Sequence, residues 1–196
     1  MTLWEIDVLP AAGQNDVAGQ TLAADARDLG LDPNLTIAAS RGFLLQGELS
    51  AEQVALAAEQ LLADSVTESA TVAPMGDAVL AQSRTAAGGV ELSQLVHVLP
   101  KPGVMDPVAL STLQALQDMG LPVEQVSTLR KYWLPAATDP AQLKRLCQKL
   151  LFNDSIERVV TGPLNLTKLD AGSDYQFSLA ASRTPTKMAP SSSKTC

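Results

Sequence analysis

The stretch VLPKPGVMDP, residues 98–107, decides how this chain folds, because it joins two different hydrophobic periods. Before it, apolar and polar residues alternate, which indicates a strand with one buried face. After it, Asp106 is a favoured N-cap and Pro107 a favoured first helical residue. Apolar residues then follow at helical spacing up to Gly120, which suits a left-handed helix end. The stretch therefore predicts a rigid corner between a strand and a helix.

A softer copy of this corner, VLPAAGQNDV, occupies residues 8–17. Sliding the chain on itself by about 90 residues matches turn residues and core residues together. The matched positions are Val8-Leu9-Pro10 with Val98-Leu99-Pro100, Gly13 with Gly103, Asp16 with Asp106, Leu29-Gly30-Leu31 with Met119-Gly120-Leu121, and, one residue slipped, Arg41 with Arg130. We interpret this register as an internal duplication. The alternative is two unrelated α/β units with similar turn residues.

Four segments follow from this interpretation. The first unit spans residues 1–73, a linker spans 74–92, the second unit spans 93–163, and a linker-like segment with a disordered tail spans 164–196. The linker is rich in proline and glycine, and the end of the tail, TPTKMAPSSSKTC, is of low complexity.

Each unit is predicted to run β, α, long β, α, β. The long strands lie in residues 35–47 and 123–134, and Gly42 predicts a bulge or bend in the first of them. The second helices begin at Ser50, with a capping-box glutamine three residues later, and at Asp139, before a proline. We expect an α+β fold of two tandem units related to the ferredoxin-like fold. Their antiparallel sheets would carry helices on one face and form a pseudo-twofold pair.

Composition and charge narrow the class of protein. Residues 1–90 carry 12 acidic and 3 basic side chains, against 9 and 11 in residues 91–196, so the net charges are about −9 and +2. This balance argues against a nucleic-acid surface. The two cysteines do not resemble a disulfide framework, and Cys147 falls on the apolar stripe of a helix, so we expect a core thiol in a reducing compartment. Without a signal peptide or a spanning apolar run, a cytoplasmic protein without membrane contact is expected.

The residues of a self-sufficient active site are missing. His97 is the one histidine, in the middle of a strand, and we expect a structural imidazole with its hydrogen bonds satisfied. The chain has neither a GxxxxGK[ST] loop nor a GxGxxG turn after a strand, and too few Cys and His residues for a zinc site. We therefore predict no catalytic, cofactor-binding or metal-binding residues.

Basic and aromatic residues stand out at two places. Lys101 lies in the corner, and Arg130 and Lys131 interrupt the long strand just before Tyr132 and Trp133. Such a cluster is typical of protein interfaces. The alternative is that the aromatic residues are core and the two bases form a solvated face. The candidates for a partner interface are Lys101, Pro102, Gly103, Asp106, Arg130, Lys131 and Tyr132.

Four stretches carry a resemblance to a known family and cover most of residues 94–162. They are VHVLPKPGVMDP (96–107), QALQDMGL (114–121), VSTLRKYWL (126–134) and LCQKLLFNDSIE (146–157). They are similar to the PurS family, the small subunit of phosphoribosylformylglycinamidine synthase in purine biosynthesis. That family usually has a basic residue and then Gly-Lys at the centre of its long strand. Arg130-Lys131-Tyr132 lacks this glycine, and Arg41-Gly42-Phe43 keeps the glycine but lacks the lysine.

The resemblance implies a non-catalytic α/β subunit that joins a PurQ-type glutaminase to a PurL-type synthetase, so that ammonia passes between them. The whole chain looks like two fused PurS copies, as in the N-terminal domain of the large single-chain synthase, an ATP- and glutamine-dependent ligase. ATP and magnesium would then be bound by the partner chain or by further domains. A different class, a tandem ferredoxin-like regulatory domain that binds a small metabolite, would use the same architecture.

Overall fold

The computed structural model describes residues 2–86 and 89–170. The strands in these ranges are β1 (Thr2–Pro10), β2 (Ala38–Gly47), β3 (Glu68–Pro74), β4 (Arg84–Thr85), β5 (Glu91–Pro100), β6 (Val123–Pro135) and β7 (Glu157–Thr161). The α-helices are α1 (Val17–Asp28), α2 (Ala51–Ala57), α3 (Pro107–Asp118) and α4 (Pro140–Leu146). A π-helical turn continues α2 over Ala58–Leu62 and α4 over Cys147–Leu151, and a 3-10 turn over Ala78–Ala81 precedes β4.

All described strands join one antiparallel sheet, in the order β3, β1, β2, β6, β5, with β4 and β7 both paired to β5. The N-terminal half (β1 to β3) and the C-terminal half (β5 to β7) meet at the β2–β6 pair. In that pair Arg41 lies directly opposite Arg130. The prediction of an α+β fold with an antiparallel sheet and helices is thereby confirmed in its general form.

The helices pack on the sheet in mixed pairs, each with one helix from either half. One core cluster places Val54 of α2 and Leu116 of α3 on Ile6 of β1 and Phe43 of β2. The other places α1 and α4 together on β5 and β6, with Cys147 buried among them. The prediction that Cys147 is a core residue is confirmed. Each half therefore needs a helix of the other half to complete its core.

The opposite face of the sheet is covered by chain segments that lack long helices. Leu3, Leu44 and Leu129 alternate along their strands with the residues under the helices, and they form a cluster with Leu164 and Leu169. Residues 75–86 cover the neighbouring part, where Trp133 Nε1 donates to the carbonyl of Gln82 at 3.1 Å. Both faces of the sheet are thus buried. The predicted disordered tail lies, beyond residue 170, outside the described residues, and so does Cys196.

Most local predictions at helix ends are confirmed. Asp106 accepts a hydrogen bond from the backbone N–H of Ala109 at 2.9 Å, and Pro107 opens α3. Ser50 forms the predicted capping box, Asp139 caps α4, and Gly120 ends α3 with a φ of 80°.

The predicted bulge at Gly42 is wrong. Gly42 pairs in regular register with Asp7 on one side and Leu129 on the other, and the irregularity of β2 lies at Gln46 and Gly47. A Cβ atom at Gly42 would meet the Ile6 carbonyl oxygen at 2.9 Å and Leu129 Cγ at 3.0 Å. The glycine is therefore required by the close approach of the Ile6 carbonyl oxygen and of Leu129, and not by a bend of the strand.

Candidate functional site

The corner of the C-terminal half is rigid because its backbone is bonded to the loop before β7. Lys101 N–H donates to the Ile156 carbonyl at 2.8 Å, and Lys101 Nζ donates to the carbonyl of Asp154. Gly103 has a φ of 81°, a backbone conformation that favours glycine. Asp106 Oδ2 accepts from the N–H and the hydroxyl of Thr128 at 2.9 and 2.7 Å. These hydrogen bonds fix the position of the corner relative to β6 and to the loop before β7.

The surface around this corner is apolar. The exposed fractions of Met105, Val108 and Leu110 are 78%, 55% and 58%. The 90-residue register places Asn15, Ala18 and Gln20 at the corresponding positions of the N-terminal half, which are polar or small. Pro102, Gly103 and Asp106 also line a cavity of about 240 Å³ that is closed by Leu166, Leu169 and Asp170. The two ends of the molecule therefore differ in their chemistry.

A larger cavity, of about 710 Å³, lies where the two halves meet, and we call it the central cavity. Its walls come from the end of β1 and the start of α1, with Arg41 from β2 and Arg130 and Tyr132 from β6. Arg41 pairs with Glu68 at 2.6 Å and Arg130 with Glu157 at 2.5 Å. Burial raises the pKa of Tyr132, and the neighbouring Arg130 partly opposes this rise. Two cationic side chains and a buried phenol thus meet in one cavity.

Lys131 lies on the opposite face of the sheet and is fully buried. Its Nζ donates to Glu5 Oε1 at 2.8 Å and to Asp7 Oδ2 at 2.7 Å, across the width of β2. Burial raises the pKa of Glu5 to about 7, since the opposing effect of the Lys131 charge is smaller and Asp7 adds to the rise. The pKa of Asp7 is raised as well, chiefly by burial. One lysine thus stabilises two buried carboxyl groups.

His97 completes this buried cluster. Burial lowers its pKa to about 4, with the Lys131 charge acting in the same direction. His97 is buried, as expected of a structural imidazole, and it interacts with the backbone of Gly162 and Val160, while Nδ1 has no partner among the described residues. Glu5, His97 and Lys131 line a cavity of about 200 Å³ that Leu80 and Leu164 help to close.

The structure separates the predicted interface residues into three places. Lys101, Pro102, Gly103 and Asp106 stay together at the corner, whereas Arg130 and Tyr132 face the central cavity. The core alternative applies to Tyr132 and Trp133, which are both buried. Lys131 belongs neither to a solvated face nor to an accessible interface, because its side chain is enclosed by two carboxylates and the covering segments. A role of the remaining residues in partner binding stays a prediction.

Sequence reasoning missed Glu5, Asp7 and the place of Arg41. A signal was present in WEIDV, residues 4–8, where two acidic residues share one face of a strand whose other face is apolar. Buried carboxylates need a cation, and Lys131 is the strand lysine that could supply one. The partner strand could not be inferred, because β1 and β6 are separated in the sheet by β2.

The described ranges contain neither a cluster of metal-ligating residues nor a helix suited to crossing a membrane. Within residues 2–86 and 89–170, no group of three or more His, Cys, Asp or Glu residues could hold a metal ion. In the same ranges, no helix combines the length and the apolar character that crossing a bilayer requires.

The fold and these sites define a small α+β protein in which two β-α-β-α-β segments form one antiparallel sheet. One helix of each segment packs on the strands of the other segment. Residues 94–161 match the family model of PurS, phosphoribosylformylglycinamidine (FGAM) synthase. The match covers about a third of the chain, so this segment is similar to PurS proteins. It connects this segment with FGAM synthase and purine biosynthesis, and PurS proteins work in a complex with other subunits of that enzyme. No curated protein matches the chain.

Proposed function

We propose that the chain is a fused pair of PurS-type units and a non-catalytic component of FGAM synthase. It would act in the cytoplasm and join a PurQ-type glutaminase to a PurL-type synthetase, so that ammonia passes between their active sites. ATP and magnesium would be bound by the synthetase. The observation that carries the proposal is the PurS match over residues 94–161. Several side-chain contacts of the matched segment recur in the N-terminal half and support it.

The repeated contacts extend to side chains that no general α+β fold requires. Asp16 and Asp106 each cap a helix and also accept a backbone N–H from the long strand, from Ala39 at 2.7 Å and Thr128 at 2.9 Å. Each glutamate of the Arg41–Glu68 and Arg130–Glu157 pairs also accepts a backbone N–H from the residue four positions before it. A π-helical turn ends the second helix in both halves. Such shared detail is what a duplication leaves behind.

The order of the strands supports a pseudo-twofold relation between the two units. On one side of the centre the order is β2, β1, β3, and on the other it is β6, β5, β7. The central pair is antiparallel, with Arg41 opposite Arg130. A twofold axis through that pair exchanges the halves, as it would exchange the chains of a homodimer of single units.

We assign the partner surface to the corner of the second unit. Met105, Val108 and Leu110 are apolar and exposed there, on either side of the buried face of α3, and exposed apolar residues are frequent at interaction sites. Lys101 and Pro102 hold the corner that presents this surface. Because the first unit carries polar or small residues at the corresponding positions, we expect it to contribute less to this contact.

Reconstitution tests this proposal. The full chain is mixed with the PurL-type synthetase and the PurQ-type glutaminase of the same cell, in the presence of glutamine and nucleotide. Size-exclusion chromatography then measures assembly, and FGAM formation from glutamine measures activity. We expect a complex and glutamine-dependent activity that both require this chain. Normal activity without the chain, and no complex with it, would contradict the proposal.

Two double variants locate the partner surface. Val108→Ser with Leu110→Ser should weaken assembly at least tenfold, since each residue is exposed and its loss leaves the fold intact. Lys101→Ala with Pro102→Ala should weaken it by relaxing the corner. Val17→Ser, an exposed apolar residue at the start of α1, is the matched control and should assemble normally. Equal assembly of all variants would show that the corner is not part of the interface.

A second candidate function is a regulatory module that binds a small metabolite between its two units. The central cavity favours it, because the cavity is lined by both halves and its volume lies in the range of ligand pockets. A thermal-shift screen of small metabolites tests this function, since a ligand that binds the native chain raises its melting temperature. This candidate does not depend on assembly with other subunits.

A further inference from the structure

The central cavity contains two arginines, one from each half of the chain. Arg41 and Arg130 lie directly opposite on β2 and β6, and each is paired with a glutamate, Arg41 with Glu68 and Arg130 with Glu157. Their side chains are 47% and 43% exposed, so both guanidinium groups remain accessible. Arginine binds planar oxyanions with paired N–H groups, so a ligand carboxylate would find a suitable donor in this cavity.

Acidic groups line the same cavity. Asp16 accepts backbone N–H groups on both oxygens, from Gly19 and from Ala39. Glu68 accepts both of its hydrogen bonds, from Arg41 and from the backbone of Asp64, on Oε2. The glutamate partner of Arg130, Glu157, stands outside the lining. The cavity thus offers cationic groups on the β2–β6 side and carboxylates nearer β1 and the start of α1.

The remaining wall is apolar. It comes from Val8, Leu9, Val17 and Leu22, which lie on β1 and α1. Tyr132 adds a phenol that is nine-tenths or more buried and close to Arg130. A ligand with a single charge would meet a group of like charge in this lining. A ligand with both charges and an apolar body would satisfy all three parts.

We propose that the central cavity binds a small zwitterion with an apolar side chain, of the class of the α-amino acids. Its carboxylate contacts the Arg130 guanidinium group, whose partner Glu157 lies outside the cavity lining, with the Tyr132 hydroxyl as a further donor. Its ammonium group faces Glu68 and Asp16, and its side chain packs on the apolar wall. This inference rests on the second candidate function and is independent of assembly into FGAM synthase.

The probes are four small molecules that separate the charges. L-Leucine carries both charges, N-acetyl-L-leucine lacks the ammonium group, L-leucinamide lacks the carboxylate, and inorganic phosphate is an anion without an apolar body. Binding to the full chain is measured by calorimetry and by NMR shifts of the backbone amides. We expect L-leucine to bind at least tenfold more tightly than the other three, with shifts at the start of α1 and in the middle of β2 and β6.

Variants of the cavity assign the contacts. Arg130→Gln should weaken binding of L-leucine at least tenfold while leaving binding of L-leucinamide unchanged, because only the carboxylate contact is lost. Tyr132→Phe keeps the ring and should weaken binding of L-leucine several-fold. Arg145→Gln, an exposed arginine of α4, is the matched control and should bind as the wild type does.

The outcomes distinguish this inference from the function on which it rests. Tighter binding of N-acetyl-L-leucine, L-leucinamide or phosphate than of L-leucine would overturn the zwitterion but keep a metabolite site. No saturable binding of any probe, together with no hit in the metabolite screen, would overturn both. Equal binding by Arg130→Gln and the wild type would also overturn the inference, because the ligand would then lie elsewhere.

Discussion

Replacing Glu5 by glutamine isolates the energetic effect of one buried carboxyl group. The folded chain raises the pKa of Glu5 from its ordinary value of 4.5 to about 7. Between these pH values the folded chain holds a proton that the unfolded chain has released, so wild-type stability falls as the pH rises. Each tenfold change in proton affinity corresponds to about 1.4 kcal/mol, so the full effect is about 3 kcal/mol.

Glu5→Gln has no proton to release at this position. The free energy of unfolding of the variant, minus that of the wild type, should therefore increase by about 3 kcal/mol between pH 4.5 and 7.5. The variant also loses the charged contact with Lys131, which contributes about 1.5–3 kcal/mol. This loss lowers the free energy of unfolding of the variant at every pH, but the slopes of the two profiles still differ. The difference between the two profiles at several pH values is thus the quantity to compare.

His97 makes the comparison necessary. Its pKa is lowered from 6.5 to about 4. Between these pH values the unfolded chain binds a proton at His97 and the folded chain does not, so the free energy of unfolding falls as the pH drops from 6.5 to 4. In the wild type this effect opposes that of Glu5, so the two contributions largely cancel between pH 4.5 and 6.5. In Glu5→Gln the His97 effect is no longer opposed by Glu5, and stability should rise more steeply with pH than in the wild type.

Urea unfolding at a series of pH values, followed by tryptophan fluorescence, measures both profiles. Trp133 is a suitable probe because Lys131 Nζ lies 5.2 Å from its ring centre. The matched control is Glu124→Gln, an exposed glutamate of β6, which should run parallel to the wild type. Parallel profiles of Glu5→Gln and the wild type would refute the reasoning, because Glu5 would then not titrate in a buried site.

Three further substitutions test the same structure. Lys131→Met leaves two buried carboxyl groups without a cation and should lower the free energy of unfolding by about 3–5 kcal/mol at pH 7.5, and by less at pH 5, in urea titrations. Asp106→Ala removes the cap and the contacts with β6 and should cost about 1–2 kcal/mol, measured in the same way, whereas an equal effect of Asp154→Ala at the exposed loop would argue against a specific cap. Gly42→Ala should cost about 1–3 kcal/mol because its methyl group would crowd Leu129, and a thermal midpoint equal to that of the wild type would contradict the close approach.

The buried ion pair distinguishes the two halves of the chain. In the 90-residue register, with the one-residue slip, Gly42 occupies the position of Lys131, and Leu95 and His97 occupy those of Glu5 and Asp7. The C-terminal half therefore supplies the cation and the N-terminal half supplies the anions. Two copies of the C-terminal half alone would bury lysines without carboxylates, which is strongly unfavourable. The pair thus favours association of the unlike halves.

The elements of the fold were largely predictable because their signals are local. The alternation in β1 and β5, the Asp106 cap and the proline that opens α3 each depend on residues a few positions apart. The Gly42 prediction failed because a glycine in a strand has two explanations, a bulge or a close neighbour, and the neighbour, Leu129, is distant in the sequence. The interface candidates were divided for the same reason, since adjacent strand residues point to opposite faces.

The sequence by itself determined most of the strands and helices, the rigidity of the corner and the repetition of the pattern. Only the tertiary structure decided that β2 pairs with β6, that each half is covered by a helix of the other, and that Lys131 meets Glu5 and Asp7. The physical reason is the range of the interactions. Caps and turns are satisfied within a few residues, but the periodicity of a strand specifies a buried face without specifying its partner, and the contacts of Lys131 join residues 126 and 124 positions apart.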